Sequence, residues 1–230
     1  MTSPDRPHSS GAAGRRAAIV IPAFNEADTI AAVVAGASRH GLPIVVNDGS
    51  TDATAELAKR GGADVVQLPG NRGYEGALDA GFARAAALGV DVAVSFDADG
   101  QFSEQALTEV LRPLLSGEAS LVLGIRPRAA RFGEACFSAY TRLRFGVPDI
   151  LCGLKGYDMT LYRAHGCLDQ SRLIGTELAL ASLRRGVRPR LVPVVVLPRV
   201  GISRFGRALS ANARIFRAMF VAILADLRRA

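Results

Sequence analysis

The chain has 230 residues, 49% of them hydrophobic, which is enough for one sizeable domain, and no apolar run approaches the roughly 20 residues of a membrane span. Its net charge of +7 is carried almost wholly by Arg, with Lys59 and Lys155 the only lysines, and Arg suits bidentate phosphate recognition. Three His (His8, His40, His165), three Cys without metal-ligand spacing (Cys136, Cys152, Cys167) and no Trp argue against a His-based zinc site, a Ser-His-Asp triad, a disulfide framework and base-stacking nucleic-acid binding.

Residues 1–16 contain Pro, Ser, Gly and Arg but no apolar h-region, so they read as a disordered leader rather than a secretory signal. Unpaired cysteines fit a cytosolic protein. From Ala17 the chain alternates short apolar runs with helical stretches: strand Ala17 to Pro22, helix Glu26 to Arg39, strand Pro43 to Asn47, helix Thr51 to Arg60. Strand Asp64 to Leu68, helix Glu75 to Leu88, strand Val90 to Phe96, helix Ser103 to Leu115 with Ser103 as N-cap, and strand Ala119 to Ile125 continue the pattern. Such alternation predicts a mostly parallel α/β sheet with helices on both faces. The second half is less regular. Arg126 to Arg144 reads as basic and partly helical, Gly156 to Arg163 as a strand, and Thr176 to Arg185 as a helix. Val187 to Leu197 reads as a strand broken at Pro193, and Arg207 to Arg229 as a helix.

In a parallel sheet the loops after each strand share one edge, where ligands bind. The first is Pro22-Ala23-Phe24-Asn25-Glu26, in which Asn25 or Glu26 can cap the next helix or touch a ligand. The second is Asn47-Asp48-Gly49-Ser50-Thr51-Asp52: Asp48 can accept from a base N–H, Gly49 permits a tight turn, and Ser50 or Thr51 can cap a helix. In the third, Asn71-Arg72-Gly73-Tyr74, glycine lets backbone approach a ligand and Arg72 can reach a phosphate. The fourth, Phe96-Asp97-Ala98-Asp99-Gly100-Gln101, sets two carboxylates one residue apart. Residues i and i+2 of a strand point the same way, so Asp97 and Asp99 can hold a hard divalent ion that bridges a diphosphate; a strand-end turn capped by Asp is the alternative.

Together these four strings resemble family 2 glycosyltransferases, and within them the dolichol- or polyprenyl-phosphate sugar transferases. The resemblance runs from Ala17 to about Phe205 and includes Asp149-Ile150-Leu151-Cys152-Gly153-Leu154-Lys155-Gly156-Tyr157, Pro193-Val194-Val195-Val196 and Arg199-Val200-Gly201-Ile202-Ser203-Arg204. Arg204 stands where relatives carry Lys. The resemblance implies a glycosyltransferase A-type fold, Rossmann-like, over residues 17–206; the residue pattern itself predicts a C-terminal amphipathic helix over 207–230. It implies a nucleotide-sugar donor (UDP- or GDP-) held by Pro22, Ala23, Asn25, Glu26, Asp48, Gly49, Arg72, Gly73, Asp97, Ala98 and Lys155. It implies Mn2+ or Mg2+ on Asp97 and Asp99 with Gln101 beside it, and Arg199 and Arg204 near phosphates. Asp99, Glu177, Arg199 and Arg204 would form the catalytic set, and Arg126, Arg128 and Arg131 would meet an acceptor phosphate. Many relatives carry a Glu-Asp pair before a helix; here Glu177 has no following Asp, which leans toward an anionic phosphate nucleophile that needs no base. A hydroxyl of a soluble acceptor remains the alternative, with Glu177 as base. A nucleotidyltransferase would need a Gly-rich triphosphate loop, which is absent, and a non-catalytic sugar-nucleotide-binding module would bind without transfer.

On a helical wheel Leu209, Ile215, Phe216, Met219, Phe220, Ile223, Leu224 and Leu227 share a face opposite Arg207, Arg214, Arg217, Arg228 and Arg229. That pattern suits peripheral contact with the cytoplasmic face of a membrane, packing on the chain's own domain, or pairing with a second copy.

Overall fold

The computed structural model describes residues 14–127, 131–198 and 208–228. Four strands, β1 (Ala17–Ala23), β2 (Leu42–Asn47), β3 (Asp64–Gln67) and β4 (Val92–Ser95), pair in parallel in the order β3-β2-β1-β4. The sheet continues as β4-β6-β5-β7, with β5 (Leu121–Ile125), β6 (Lys155–Asp158) and β7 (Arg190–Pro193). β6 runs antiparallel to both β4 and β5, while β5 and β7 are parallel. The sheet is therefore mostly parallel, as expected, with one reversed strand that the sequence did not announce.

The strands are apolar throughout because both faces are covered. In β1, Ala18 and Val20 enter one core and Ile19 and Ile21 the other, as the period of two requires. Helices α1 (Ile30–Ser38), α2 (Thr54–Arg60) and α4 (Glu104–Leu115) cover the second face. Helices α3 (Gly73–Ala87), α5 (Phe132–Phe145), α6 (Met159–His165), α7 (Glu177–Arg184) and α8 (Ala208–Leu227) cover the first.

Local chemistry explains several boundaries. Ser103 Oγ accepts from Ala106 N (3.2 Å), the expected cap of α4. The expected strand over Gly156 to Arg163 stops at Asp158, whose Oδ1 accepts from Thr160 N (2.8 Å) and starts α6 instead. Neither Asn25 nor Glu26 caps α1 through its side chain, and neither Ser50 nor Thr51 caps α2: α1 begins only at Ile30, and Asp52 Oδ1 accepts from Thr54 N (3.0 Å) at the start of α2. Most of the expected leader lies outside the described residues. Its last two residues are anchored: Arg15 Nη1 donates to Leu114 O (2.7 Å) and Arg16 N to Asp91 Oδ2 (2.7 Å).

α8 docks on the chain's own domain. Ala211, Ile215, Ala218 and Ala222 form its buried stripe, Asn212 Oδ1 accepts from Gly133 N (3.0 Å), and Asp226 meets Tyr140 and Arg184. The broad apolar face read from sequence is thus split. Small residues pack inward, while Phe216 and Phe220 stay exposed beside the exposed Phe132 of α5, whose ring lies 6.2 Å from that of Phe216. Among the described residues no helix is long and apolar enough to cross a membrane.

Candidate active site at the carboxyl edge of the sheet

The parallel strands deliver their following loops to one edge, and side chains zip those loops together. Asn25, at φ 51°, donates its N–H to Ser50 Oγ (2.8 Å) and accepts from Thr51 N at its Oδ1 (2.7 Å). Glu26 N donates to Thr54 Oγ1 (2.8 Å). The residues expected to cap helices therefore cross-link loops one and two. Asp48 joins loop three: its oxygens accept from Arg72 N (2.6 Å) and Gly73 N (2.9 Å). Burial raises the Asp48 pKa, against the pull of those two amides. Gly49, at φ +77°, lies so close to Asn71 N that a Cβ would approach within 3.0 Å, so glycine is needed where loops two and three touch. Pro22 and Ala23 end β1 opposite Val46 and Asn47, and the Arg72 side chain is exposed.

β4 ends at Ser95, one residue earlier than expected, so Asp97 and Asp99 sit in a turn rather than along a strand. The two carboxylates still lie close enough to feel each other's charge. Burial pushes Asp97 up to about 6 and the Asp99 charge adds to it, while the Tyr74 hydroxyl, Lys155 and Arg126 pull down. Tyr74 donates to Asp97 Oδ1 (3.2 Å). A Cβ on Gly153 would come within 2.3 Å of Asp97 Oδ2, so the bare glycine makes room for that carboxylate. Ser95 Oγ fixes Gly153 by donating to its carbonyl (2.6 Å). Ala98 faces the core, which leaves only its backbone for a ligand. Gln101, expected beside the metal, donates N–H to Asp99 Oδ1 (3.1 Å) and Nε2 to Leu197 O (3.2 Å), tying this loop to the segment after β7.

The reversed strand explains Lys155. Because β6 is antiparallel, it starts at the ligand edge, and Lys155 pairs with Ser95 at the end of β4. Lys155 is 2% exposed, and burial lowers its pKa while Asp149 and Asp97 oppose that shift. Arg126 leaves β5 at the same edge. Its Nε donates to Asp149 Oδ2 (2.8 Å), its Nη2 to Asp149 Oδ1 (3.0 Å), and Nη2 lies 3.1 Å from Glu134. Arg131 also contacts Glu134 (3.0 Å). Burial alone would lower the Arg126 pKa; Asp149 and Glu134 reverse this and keep it charged.

The structure brings together Asp48, Arg72 and Gly73 in one group, Asp97, Asp99 and Lys155 in a second, and Arg126 and Arg131 in a third. Arg128, Arg199 and Arg204 lie outside the described residues. Glu177, expected in the catalytic set and as base only for a hydroxyl acceptor, is not aimed at the Asp97 cluster. Its Oε2 accepts from Ser171 N (2.7 Å) and its Oε1 faces His165 and Cys167. Burial disfavours its charge, but Ser171 and His165 outweigh that and leave its pKa below the ordinary value, which makes it a weak base. Tyr74, Glu134, Asp149 and Gly153 were missed in sequence. Tyr74 stood inside the third loop string, and Asp149 opened the segment that ends in Lys155.

The family model described as "Glycosyl transferase family 2" matches residues 18–167. An uncharacterized protein of Methanocaldococcus jannaschii is 29% identical over 192 residues, covering 76% of this chain and 79% of that one. The UDP-N-acetylglucosamine–dolichyl-phosphate N-acetylglucosaminyltransferase of Methanococcus voltae is 31% identical over 170 residues, covering 60% of this chain and 68% of the relative. Among solved structures, glucosyl-3-phosphoglycerate synthase from Mycobacterium tuberculosis, in complex with Mn2+ and UDP-glucose, superposes with a TM-score of 0.74 at 26% identity, over 92% of this chain and 80% of the other.

Proposed function

The chain belongs to glycosyltransferase family 2, and from that premise we propose that it moves a sugar from a UDP- or GDP-sugar to a polyprenyl phosphate at the cytoplasmic face of a membrane. The carrying observation is the position of Arg131 at the head of α5. It directly precedes Phe132, which is 73% exposed and opens an apolar patch continued by Phe216 and Phe220. A basic group beside exposed aromatic surface matches a molecule with a phosphate head and an apolar tail. The Methanococcus voltae relative, by its name, acts on dolichyl phosphate.

The donor set fits a hard divalent ion: Asp97 and Asp99 offer carboxylate oxygens, Asp97 pushed toward protonation by burial and then by the Asp99 charge, with Gly153 clearing space. Asp97 and Asp99 would hold the ion, which supplies Lewis-acid neutralisation of the diphosphate. The chain's own residues do the rest. Asp48 fixes the Arg72 and Gly73 backbone that would meet the nucleotide, Lys155 would offer a cation to the diphosphate beside Asp97, and Tyr74 orients Asp97. The bond from the anomeric carbon to the diphosphate breaks, and an acceptor phosphate oxygen bonds to that carbon from the opposite face, inverting it. That oxygen is already anionic, so a Glu177 engaged elsewhere is no obstacle. Arg131, with Arg128, would meet the acceptor phosphate, while Arg126 braces Arg131 through Glu134.

A second reading keeps the donor and changes the acceptor to a small soluble one. It is favoured by the Mycobacterium tuberculosis neighbour, which has been solved with phosphoglyceric acid. The test is nucleoside-diphosphate release with Mn2+ over a panel of UDP- and GDP-sugars, with and without polyprenyl phosphate. Lipid-dependent release with a sugar-lipid product by mass spectrometry is expected. Lipid-independent transfer that falls steeply in Glu177→Gln would overturn the phosphate acceptor and establish a hydroxyl one.

A further inference from the structure

Three side chains that the proposed transfer does not use converge around the start of α7. α6 ends at His165, Gly166 turns the chain at φ 93°, Cys167 follows, and Glu177 opens α7. His165 Nε2 lies 3.4 Å from Glu177 Oε1, and Cys167 Sγ lies 3.8 Å from the same oxygen. One ligand atom from each of the three falls within 4.8 Å of the others. His165 Nε2 is shut away from water and faces Glu177 Oε1 without hydrogen-bond geometry, so it points into the cluster.

The spacing has a chemical meaning. Tetrahedral zinc with bonds of about 2.0–2.3 Å to nitrogen, oxygen and sulfur separates its ligand atoms by about 3.4–3.7 Å. The two contacts to Glu177 fall near that range. The backbone supports anionic ligands, for the successive amides of Gln170 and Ser171 point at the Cys167 sulfur and at Glu177 Oε2. One cation would pair the imidazole, the thiol and the carboxylate at once.

We propose that His165, Cys167 and Glu177 bind one borderline-soft divalent ion, with Zn2+ preferred, joining the end of α6 to the start of α7. Three protein ligands leave a fourth position for water. The thiolate separates this site from the all-oxygen pair Asp97 and Asp99, which favours hard ions. The individual positions of His165 and Cys167 were visible in the sequence, where they looked too few for zinc.

The test uses the untagged full chain, stripped by chelator and titrated with Co2+ as a spectroscopic probe, then with Zn2+. One equivalent of Co2+ should give a thiolate-to-metal charge-transfer band and tetrahedral visible bands, both displaced by Zn2+. Cys167→Ser, nearly isosteric, should abolish the charge-transfer band, and His165→Ala should weaken binding more than about tenfold, as removal of metal-supporting groups does. Asp99→Asn should keep both, and Zn2+ should raise the melting temperature in wild type and Asp99→Asn but not in Cys167→Ser. A folded wild-type protein without the thiolate band, or equal Co2+ affinity in wild type and Cys167→Ser, would overturn the site.

Discussion

Two clusters of charge flank the carboxyl edge of the sheet, and they are wired in opposite ways. Around Arg126 and Arg131 every charge is answered: two guanidiniums meet Glu134 and Asp149, the carboxylates are nearly buried, and Arg126 holds its proton more firmly than usual. Around Asp97 two acids crowd together, one shifted up to about 6, and the nearby Lys155 is buried with its charge disfavoured. The doubly paired Arg126 is scaffolding that braces Arg131 through Glu134, whereas the strained cluster at Asp97 is a socket. Under the proposed function a cation and a diphosphate would relieve that strain, in keeping with the clustering of perturbed groups at functional sites.

The contrast breaks most visibly at Arg126. Arg126→Ala should cost about 3–5 kcal/mol in urea unfolding, because it strips the buried Asp149 of its guanidinium and leaves Glu134 with Arg131 alone. Normal stability with lost transfer would recast Arg126 as a free ligand arm. Next, Asp99→Asn should lower metal-dependent donor affinity or turnover about 100-fold while stability holds or improves, read by nucleotide binding with and without Mn2+. Undiminished metal stimulation would remove the pair as the metal holder. Gly153→Ala places a Cβ against Asp97 and should weaken donor binding about tenfold, with a native circular-dichroism spectrum.

A smaller effect concerns pH. Asp97 and Asp169 are both raised to about 6 by burial, so each contributes stability when protonated and loses it as pH rises through about 6. In metal-free buffer the protein should be more stable at pH 5 than at pH 7.5, by on the order of 1 kcal/mol, and Asp97→Asn should shrink the difference. Smallest of all, Arg60→Ala removes a surface pair with Glu56 and should shift stability by less than about 0.5 kcal/mol.

How much was legible follows the same divide. The proposed donor half is local: each loop directly follows its strand, so sequence position alone puts Asp48, Asp97 and Asp99 at the carboxyl edge of the sheet. The helix starts at Ser103 and the strands of β1 to β4 were fixed by period and cap. The other half is assembled over distance. Arg126 meets Asp149 and Glu134, Asp226 meets Tyr140 and Arg184, and Glu177 meets His165 and Cys167, pairings that no local pattern encodes. The reversal of β6 was hidden because Lys155-Gly156-Tyr157-Asp158 is too short to declare a direction, and the cap at Asp158 looked like strand interior. On α8 the large apolar residues outweighed the alanines in the sequence reading, although Ala218 and Ala222 are the ones that allow close packing.

The placement of β6 also orders events as the chain is made. β1 to β4 are neighbours of one another, so the first four strands can pair while the rest is still being synthesised. β5 cannot join β4, because the slot between them belongs to a strand made later. A nascent chain that has reached Ile125 therefore carries its acidic turn without the lysine that answers it, and β4 keeps an open edge. Arrival of Lys155–Asp158 closes that edge, links the two halves and delivers the buried cation in one step.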